Sequence, residues 1–267
     1  KLKKENIPYE IIIVDNNSTD GTVEALKKLE PGKLKIICNS QNKGYGKANN
    51  QGLNIASKEY ILFLNSDVIV DKKINFQELI TYLDTNKKIG ALTVKVLLPH
   101  GSIDPASHRG FPTPWRSFCY FLGLEKVFSS MPYLNKLFGG YHLTHLDKKT
   151  VHEIDSPTGA FFLAPSKLIK ELKGFDEDYF MYGEDLDLSF RIKERGYKII
   201  YYPAFSVLHL KYQSGLQNKK DEEVKKRIKK YFYKTMAIFY KKHYEKKYPT
   251  LINKIVYFFI HIKEISI

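Results

Sequence analysis

The sequence predicts a parallel, doubly wound α/β sheet carrying a helical appendage at its C-terminal end. Three observations lead there. Short β-branched runs alternate with helical patterns through the first half, polar Asn/Asp/Gly turns separate them, and no internal repeat organises the chain. With 267 residues and 43% hydrophobic content, the chain can bury a substantial core.

Residues 10–14 (EIIIV) read as a buried strand and 22–30 as the helix after it, with a second strand over 33–38. A glycine- and asparagine-rich loop then leads to a helix over 48–56, and YILFL at 60–64 makes a third strand. A helix over 76–85 and a strand over 91–98 complete this half. From 100 to 149 the periodicity gives way to prolines, glycines and aromatics, and so long an irregular stretch in a compact domain is functional or mobile. Order returns with a strand at 159–163 and a helix from Ser166. Another helix over 186–195 is stopped by Gly196, and strands follow at 198–202 and 205–208. Beyond Gly215 comes a basic helix with Val224, Ile228, Tyr231, Thr235 and Ile238 on one face, then an apolar segment over 251–262. The expected division is a main domain, 1–215, and a basic amphipathic tail, 216–267.

The formal net charge of +14 gathers in that tail, where residues 211–250 hold thirteen Lys/Arg against four Asp/Glu. The remainder has an ordinary balance for a globular enzyme. Basic residues on one helix, without a stacking module, argue against a nucleic-acid partner. A lysine-rich helix followed by Val256-Tyr257-Phe258-Phe259 fits an interfacial anchor on an anionic membrane. A packed helix with a solvated charged face is the open alternative. No run reaches the ~20 apolar residues of a transmembrane helix. Cys38 and Cys119 have neither metal spacing nor disulfide density, so free thiols in a reducing compartment are expected. With no charged-then-apolar leader opening the chain as given, the expected location is cytoplasmic, peripheral at the inner membrane face.

Ligands of doubly wound sheets sit beyond the carboxyl ends of the strands, so the residues there carry the functional reading. Asp15, Asn17 and Ser18 follow the first strand, where a carboxylate could meet a base or ribose and a helix start favours anions. A strand-to-helix turn with Asp and Ser as caps is the simpler reading of the cluster taken alone. Asn42, Gly44 and Asn50 belong to a second such loop, whose glycines would permit close approach to a phosphate. Asn65-Ser66-Asp67 ends the third strand; in extended chain Asn65 and Asp67 would point the same way, toward a hard divalent cation. Glu184 and Asp185 stand at a helix start, as caps or as a general base. His209 ends a strand pattern, where a lone His is more often structural than a ligand.

Taken in order, these clusters resemble the family 2 glycosyltransferases, which have the GT-A fold, and in particular their rhamnosyltransferase-like, polysaccharide-building branch. The stretches that carry the resemblance are VDNNSTDGT (14–22), NKGYGKANNQG (42–52), ILFLNSD (61–67), SHRGFPTP (107–114) and the run from Ser156 to Leu210 containing GFDEDYFMYGED. The resemblance implies a Rossmann-like, mostly parallel sheet with acceptor-side mixed strands. It also implies an inverting transferase that moves a sugar, rhamnose being the branch's commonest label, from a nucleotide diphosphate to a hydroxyl of a glycan or lipid-linked acceptor. Asp15 would contact the nucleotide base, with Asn17, Asn42, Gly44 and Asn50 beside the donor. Asn65-Ser66-Asp67 would be the Asp-x-Asp motif, with Asp67 and His209 holding Mn²⁺ or Mg²⁺. Asp185, next to Glu184, would be the catalytic base.

The chain departs from the pattern in two side chains: Asn65 replaces the motif's first acid, and Ser156 stands where the branch often has an aromatic. Family members also open with a strand and helix ahead of the region matching 9–14. Lys1-Leu2-Lys3-Lys4-Glu5 resembles the end of that helix, so this first unit is expected to be missing from the chain as given. The rival reading is a non-catalytic nucleotide-sugar or polysaccharide binding protein, which would need no paired Glu184-Asp185.

Overall fold

The computed structural model describes residues 2–29, 32, 34–211 and 222–265, and only the backbone of 222–225. β1 (Ile11–Asp15) and β2 (Leu34–Cys38) pair in parallel across α1 (Thr22–Lys27). α2 (Tyr45–Ile55) lies on β1, with Gly52 facing Ile12 and Val14.

β3 (Tyr60–Leu64), β4 (Val68–Val70), β5 (Ile89–Leu97), β6 (His152–Ile154), β7 (Phe161–Pro165) and β8 (Lys198–His209) build a second sheet. Its order is β3-β7-β5-β8-β4, with β6 also on β8. β5 and β8 are parallel neighbours, whereas β7, β4 and β6 run against their partners and supply the mixed strands. The centre is built from residues that cannot face water: Ala91, Leu92, Val94, Val96, Phe161 and Phe162 are fully buried. α3 (Phe76–Thr85) covers one face through Phe76, Leu79 and Leu83, its start capped by the Asn75 side chain.

The two sheets share no backbone pairing, and among the described residues no strand lies between β1 and β3. Ile11, Ile13, Ile61 and Phe63 from these strands line one end of a large cavity instead.

Irregularity over 100–149 proves to be partly helical. α4 (Pro114–Phe121), α5 (Leu124–Val127) and α6 (Pro132–Phe138) are too short to give a periodic signal. Proline opens α4 and α6, a position where its missing N–H costs nothing. The strands expected at 198–202 and 205–208 are one continuous strand, β8; Pro203 is tolerated where the β5 register shifts between Val94 and Lys95.

α7 (Ser166–Glu171) and α8 (Glu184–Glu194) pack on the sheet, and α8 starts at Glu184, two residues earlier than the sequence pattern indicates. The expected boundary at 215/216 and Gly215 itself lie outside the described residues, as does the Val224 side chain. α9 (Glu222–His243) buries Ile228, Thr235, Phe239 and Tyr240 against the main domain. Phe239 and Tyr244 pack on Phe190 of α8, His243 Nε2 lies 2.7 Å from Asp187 Oδ1, and Lys242 binds Asp176 and Asp178. α10 (Thr250–Ile265) folds back along α9. No helix among the described residues is long and apolar enough to cross a membrane.

Candidate active site

One cavity of about 2550 Å³ collects the strand ends and the helix start singled out in the sequence. Asn65, Ser66, Asp67, Glu184, Asp185 and His209 all line it. Asn65 to Asp67 form a turn rather than extended chain. The convergence comes from β4, which pairs Val68 with His209 and carries Asp67 across to the end of β8. His209 Nε2 is 3.3 Å from Asp67 Oδ1 and 3.5 Å from Asn65 Nδ2.

Behind His209 stands Asp104, a fully buried carboxylate that the sequence reading missed. Its Oδ2 lies 3.0 Å from His209 Nδ1 and its Oδ1 3.1 Å from Lys211 Nζ. Burial would push this carboxyl up, but His209, the Lys211 charge and the Ala106 amide together hold it down at about 2. A carboxylate on Nδ1 fixes the imidazole tautomer and turns Nε2 toward the cavity, the outer-shell arrangement of metal-binding histidines. Asp67, His209 and this buried carboxylate therefore suit a divalent cation: two protein donors, with the remaining positions available to diphosphate oxygens and water. Among the described residues no third His, Cys, Asp or Glu joins them.

The second feature is an ion pair across the cavity wall. Arg109 Nη2 donates to Asp185 Oδ2 at 2.7 Å, and both side chains are only 11% exposed. Asp185 Oδ1 accepts from the Leu186 amide, so the first turn of α8 and the Arg109 segment fix the carboxylate from two sides. That segment is anchored by Arg116, which binds Asp155 at 2.7 Å. Glu184 is buried with its Oε2 unpartnered; burial first, and the Asp185 charge second, push its carboxyl up to about 8. Tyr45 closes the site from α2, its hydroxyl 3.0 Å from Asn65 Oδ1 and 3.1 Å from the Gly159 carbonyl.

The other expected residues lie elsewhere. Asn50 brackets the chain at Phe175, accepting from its amide and donating to its carbonyl, each at 2.8 Å. Gly44 likewise serves a protein contact, since a Cβ there would meet the Phe180 carbonyl at 2.5 Å. Asp15 Oδ2 is taken up by the Asn17 and Ser18 amides, the capped-turn alternative, and neither Asp15 nor Asn17 lines the cavity. Asn42 sits beside them, accepting from Asn16 and from the Gly44 amide. Of the missed residues, Arg109 lies in the quoted SHRGFPTP stretch and Tyr45 in the second loop, so both had a local signal; Asp104, an isolated acid in irregular sequence, had none.

Comparison with known proteins agrees with this geometry. The model of "Glycosyl transferase family 2" matches residues 2–134. An N-acetylglucosaminyl-diphospho-decaprenol L-rhamnosyltransferase of Mycobacterium tuberculosis is 27% identical over 218 residues, covering 78% of this chain and 68% of that protein. Rhamnosyltransferase WbbL of Escherichia coli (strain K12) is 29% identical over 160 residues, 58% of this chain and 53% of its own length. Mannosyltransferase PcManGT from Pyrobaculum calidifontis, solved with GDP-Man and Mn²⁺, superposes with TM-score 0.54 at 16% identity over 96% of this chain and 59% of that one. GalNAc-T7, solved with UDP, GalNAc and Mn²⁺, gives TM-score 0.52 at 16% identity over 75% of this chain and 37% of that one. The structural likenesses establish the GT-A fold. By its family match, its rhamnosyltransferase relatives and this fold, the chain belongs to glycosyl transferase family 2, whose members are inverting glycosyltransferases.

Proposed function

We propose that this chain transfers L-rhamnose from a nucleotide diphosphate to a hydroxyl of a glycan or lipid-linked acceptor, with Asp185 as base. The observation that carries the reading is the pairing of Asp185 with Arg109 on the wall of the cavity that also holds Asp67 and His209. Inverting transfer needs a base on the acceptor side, and positive charge beside the leaving diphosphate. Asp185 accepts the acceptor proton while Arg109 and the α8 amide keep its carboxylate in place, a contribution typically worth ~10²–10⁴-fold. Burial, with the Asp185 charge beside it, holds the Glu184 carboxyl well above the usual carboxylate range. Asp67 and His209 would hold Mn²⁺ or Mg²⁺, which when bound supplies Lewis-acid neutralisation of the diphosphate. Asp104 keeps the His209 ring oriented for that role.

Rhamnose is supported by the names of the M. tuberculosis and E. coli relatives. A thermal-shift screen with UDP-, dTDP- and GDP-sugars, an L-rhamnosyl donor among them, with and without Mn²⁺, tests the donor and the metal together. One rhamnosyl donor should stabilise the protein, and only with metal. A stronger metal-dependent shift from another sugar would replace rhamnose.

The domain reading places catalysis in 1–215 and membrane contact in 216–267. Lys226, Arg227, Lys229, Lys230 and Lys234 give α9 an exposed basic face suited to an anionic surface at the cytoplasmic side. Liposome co-sedimentation decides this: equal binding to neutral and anionic vesicles would remove it.

A further inference from the structure

α10 is apolar over most of its circumference, with Asn253, Lys254, His261 and Glu264 gathered on the remaining face. Val256 and Tyr257 pack on the α9 cluster and Ile260 is buried, yet Leu251, Phe258 and Phe259 stand 69%, 60% and 55% exposed. A contiguous exposed apolar patch of this kind marks an interaction site. α4 offers a matching stripe: Trp115, Phe118 and Phe121 recur at helical spacing, each between 42% and 47% exposed. The two helices meet where Lys263 Nζ lies 5.8 Å above the Phe121 ring. Phe232 and Met236 of α9 line the same space.

Residues of these three helices line the same cavity as Arg109 and Asp185. We propose that this groove binds the hydrocarbon chain of a lipid-diphosphate-linked acceptor, whose sugar then reaches Asp185. The inference rests on the glycosyl-transfer reading of the site for the identity of the head, and on the groove alone for the chain. Continuity is the first argument: the apolar side chains of the three helices and Asp185 line one cavity, and such an apolar wall is of no use to a free, hydrated glycan. Charge is the second: the residues of α4, α9 and α10 on the cavity wall include Lys229 and Lys263 and, among the described residues, no Asp or Glu. That balance suits the diphosphate lying between sugar and chain. A second copy of the protein, or the plane of a membrane, would cover the outer faces of Leu251 and Phe258 without needing an apolar wall inside the cavity.

The chain carries a single tryptophan, Trp115, and it stands in the groove wall, so its fluorescence reports occupancy. Titrating the whole chain with geranylgeranyl diphosphate, below the concentration at which the lipid aggregates, should change Trp115 emission saturably. Geranyl diphosphate should bind more weakly and inorganic diphosphate should leave the signal unchanged. The double substitution Phe118→Asn and Phe259→Asn, at two exposed positions, should weaken lipid binding roughly tenfold or more. The donor-induced thermal shift should survive it, which separates lost binding from lost folding. The proposal is overturned by an absent or non-saturable response, by equal affinity for inorganic diphosphate, or by undiminished binding in the double variant. An equal response to neutral vesicles would assign the surface to the membrane, and a response to protein concentration alone would assign it to a second copy; either overturns it too. Saturable lipid binding without sugar transfer to any lipid-linked acceptor would support the groove and count against the glycosyl-transfer reading.

Discussion

Replacing Asp185 by Asn is the obvious test of the base, and the structure shows why it needs a companion. Asp185 and Arg109 meet at 2.7 Å with 11% of each side chain exposed, so the substitution strands a buried guanidinium. Breaking a buried pair from one side costs about 3–5 kcal/mol, a large part of the ~5–15 kcal/mol that holds a typical domain together. For a chain of this size that is a fall in Tm of roughly 5–15 °C. Loss of activity in the single variant would therefore confound chemistry with folding. Asp185→Asn combined with Arg109→Gln removes both charges and should recover most of the lost Tm. Turnover, read as release of nucleoside diphosphate in the presence of acceptor, should stay depressed by ~10²–10⁴-fold in the single and the double variant alike. Near-normal turnover by Asp185→Asn would move the role to Glu184 or end the mechanism. A double variant that regains activity along with stability would show that Asp185 is structural.

Chelation should stop turnover and Mn²⁺ should restore it, while full activity in excess chelator would contradict the Asp67–His209 assignment. Asp104→Asn leaves both ligands in place but loosens the His209 ring, so the Mn²⁺ titration of donor binding should weaken roughly 10–100-fold; an unchanged titration would reduce Asp104 to packing. Glu184→Gln should flatten the pH dependence of stability. The folded protein keeps on Glu184 a proton that the unfolded chain releases near 4.5, so wild-type stability falls as pH rises from there to about 8. Thermal melts across that window read the slope, and an identical slope in the variant would show that Glu184 is not the group responsible. A strand-forming segment fused ahead of Leu2, able to pair with β1 and β3, should raise Tm and suppress aggregation by covering two free edges; no change in either would mean those edges are already adequately protected.

The elements that the sequence made legible are those with an unbroken local pattern. EIIIV, YILFL and the 76–85 helix lie where the residues place them, give or take a residue, because alternation and apolar spacing are properties of neighbours. β4 and β6, three residues each, carry no pattern of their own and exist because β8 is there to pair with them. The site divides the same way. Asp67, Glu184, Asp185 and His209 were visible as chemistry-bearing residues at element ends. Their partners Asp104 and Arg109 come from 105 and 76 residues away in sequence, brought in by tertiary packing that single-sequence reading does not contain. Asn50 and Gly44 show a related limit. In sequence a polar or glycine residue looks the same whether it meets a ligand or backbone, and these two meet the backbone at Phe175 and Phe180.

The central claim is tested most directly by one measurement on the purified chain: with an L-rhamnosyl nucleotide, Mn²⁺ and a sugar-diphosphate-lipid acceptor, the anomeric configuration of the product by NMR. A new glycosidic bond inverted relative to the donor, formed by the wild-type chain and absent with Asp185→Asn plus Arg109→Gln, is the predicted result. A retained configuration, or equal product from that double variant, would contradict it.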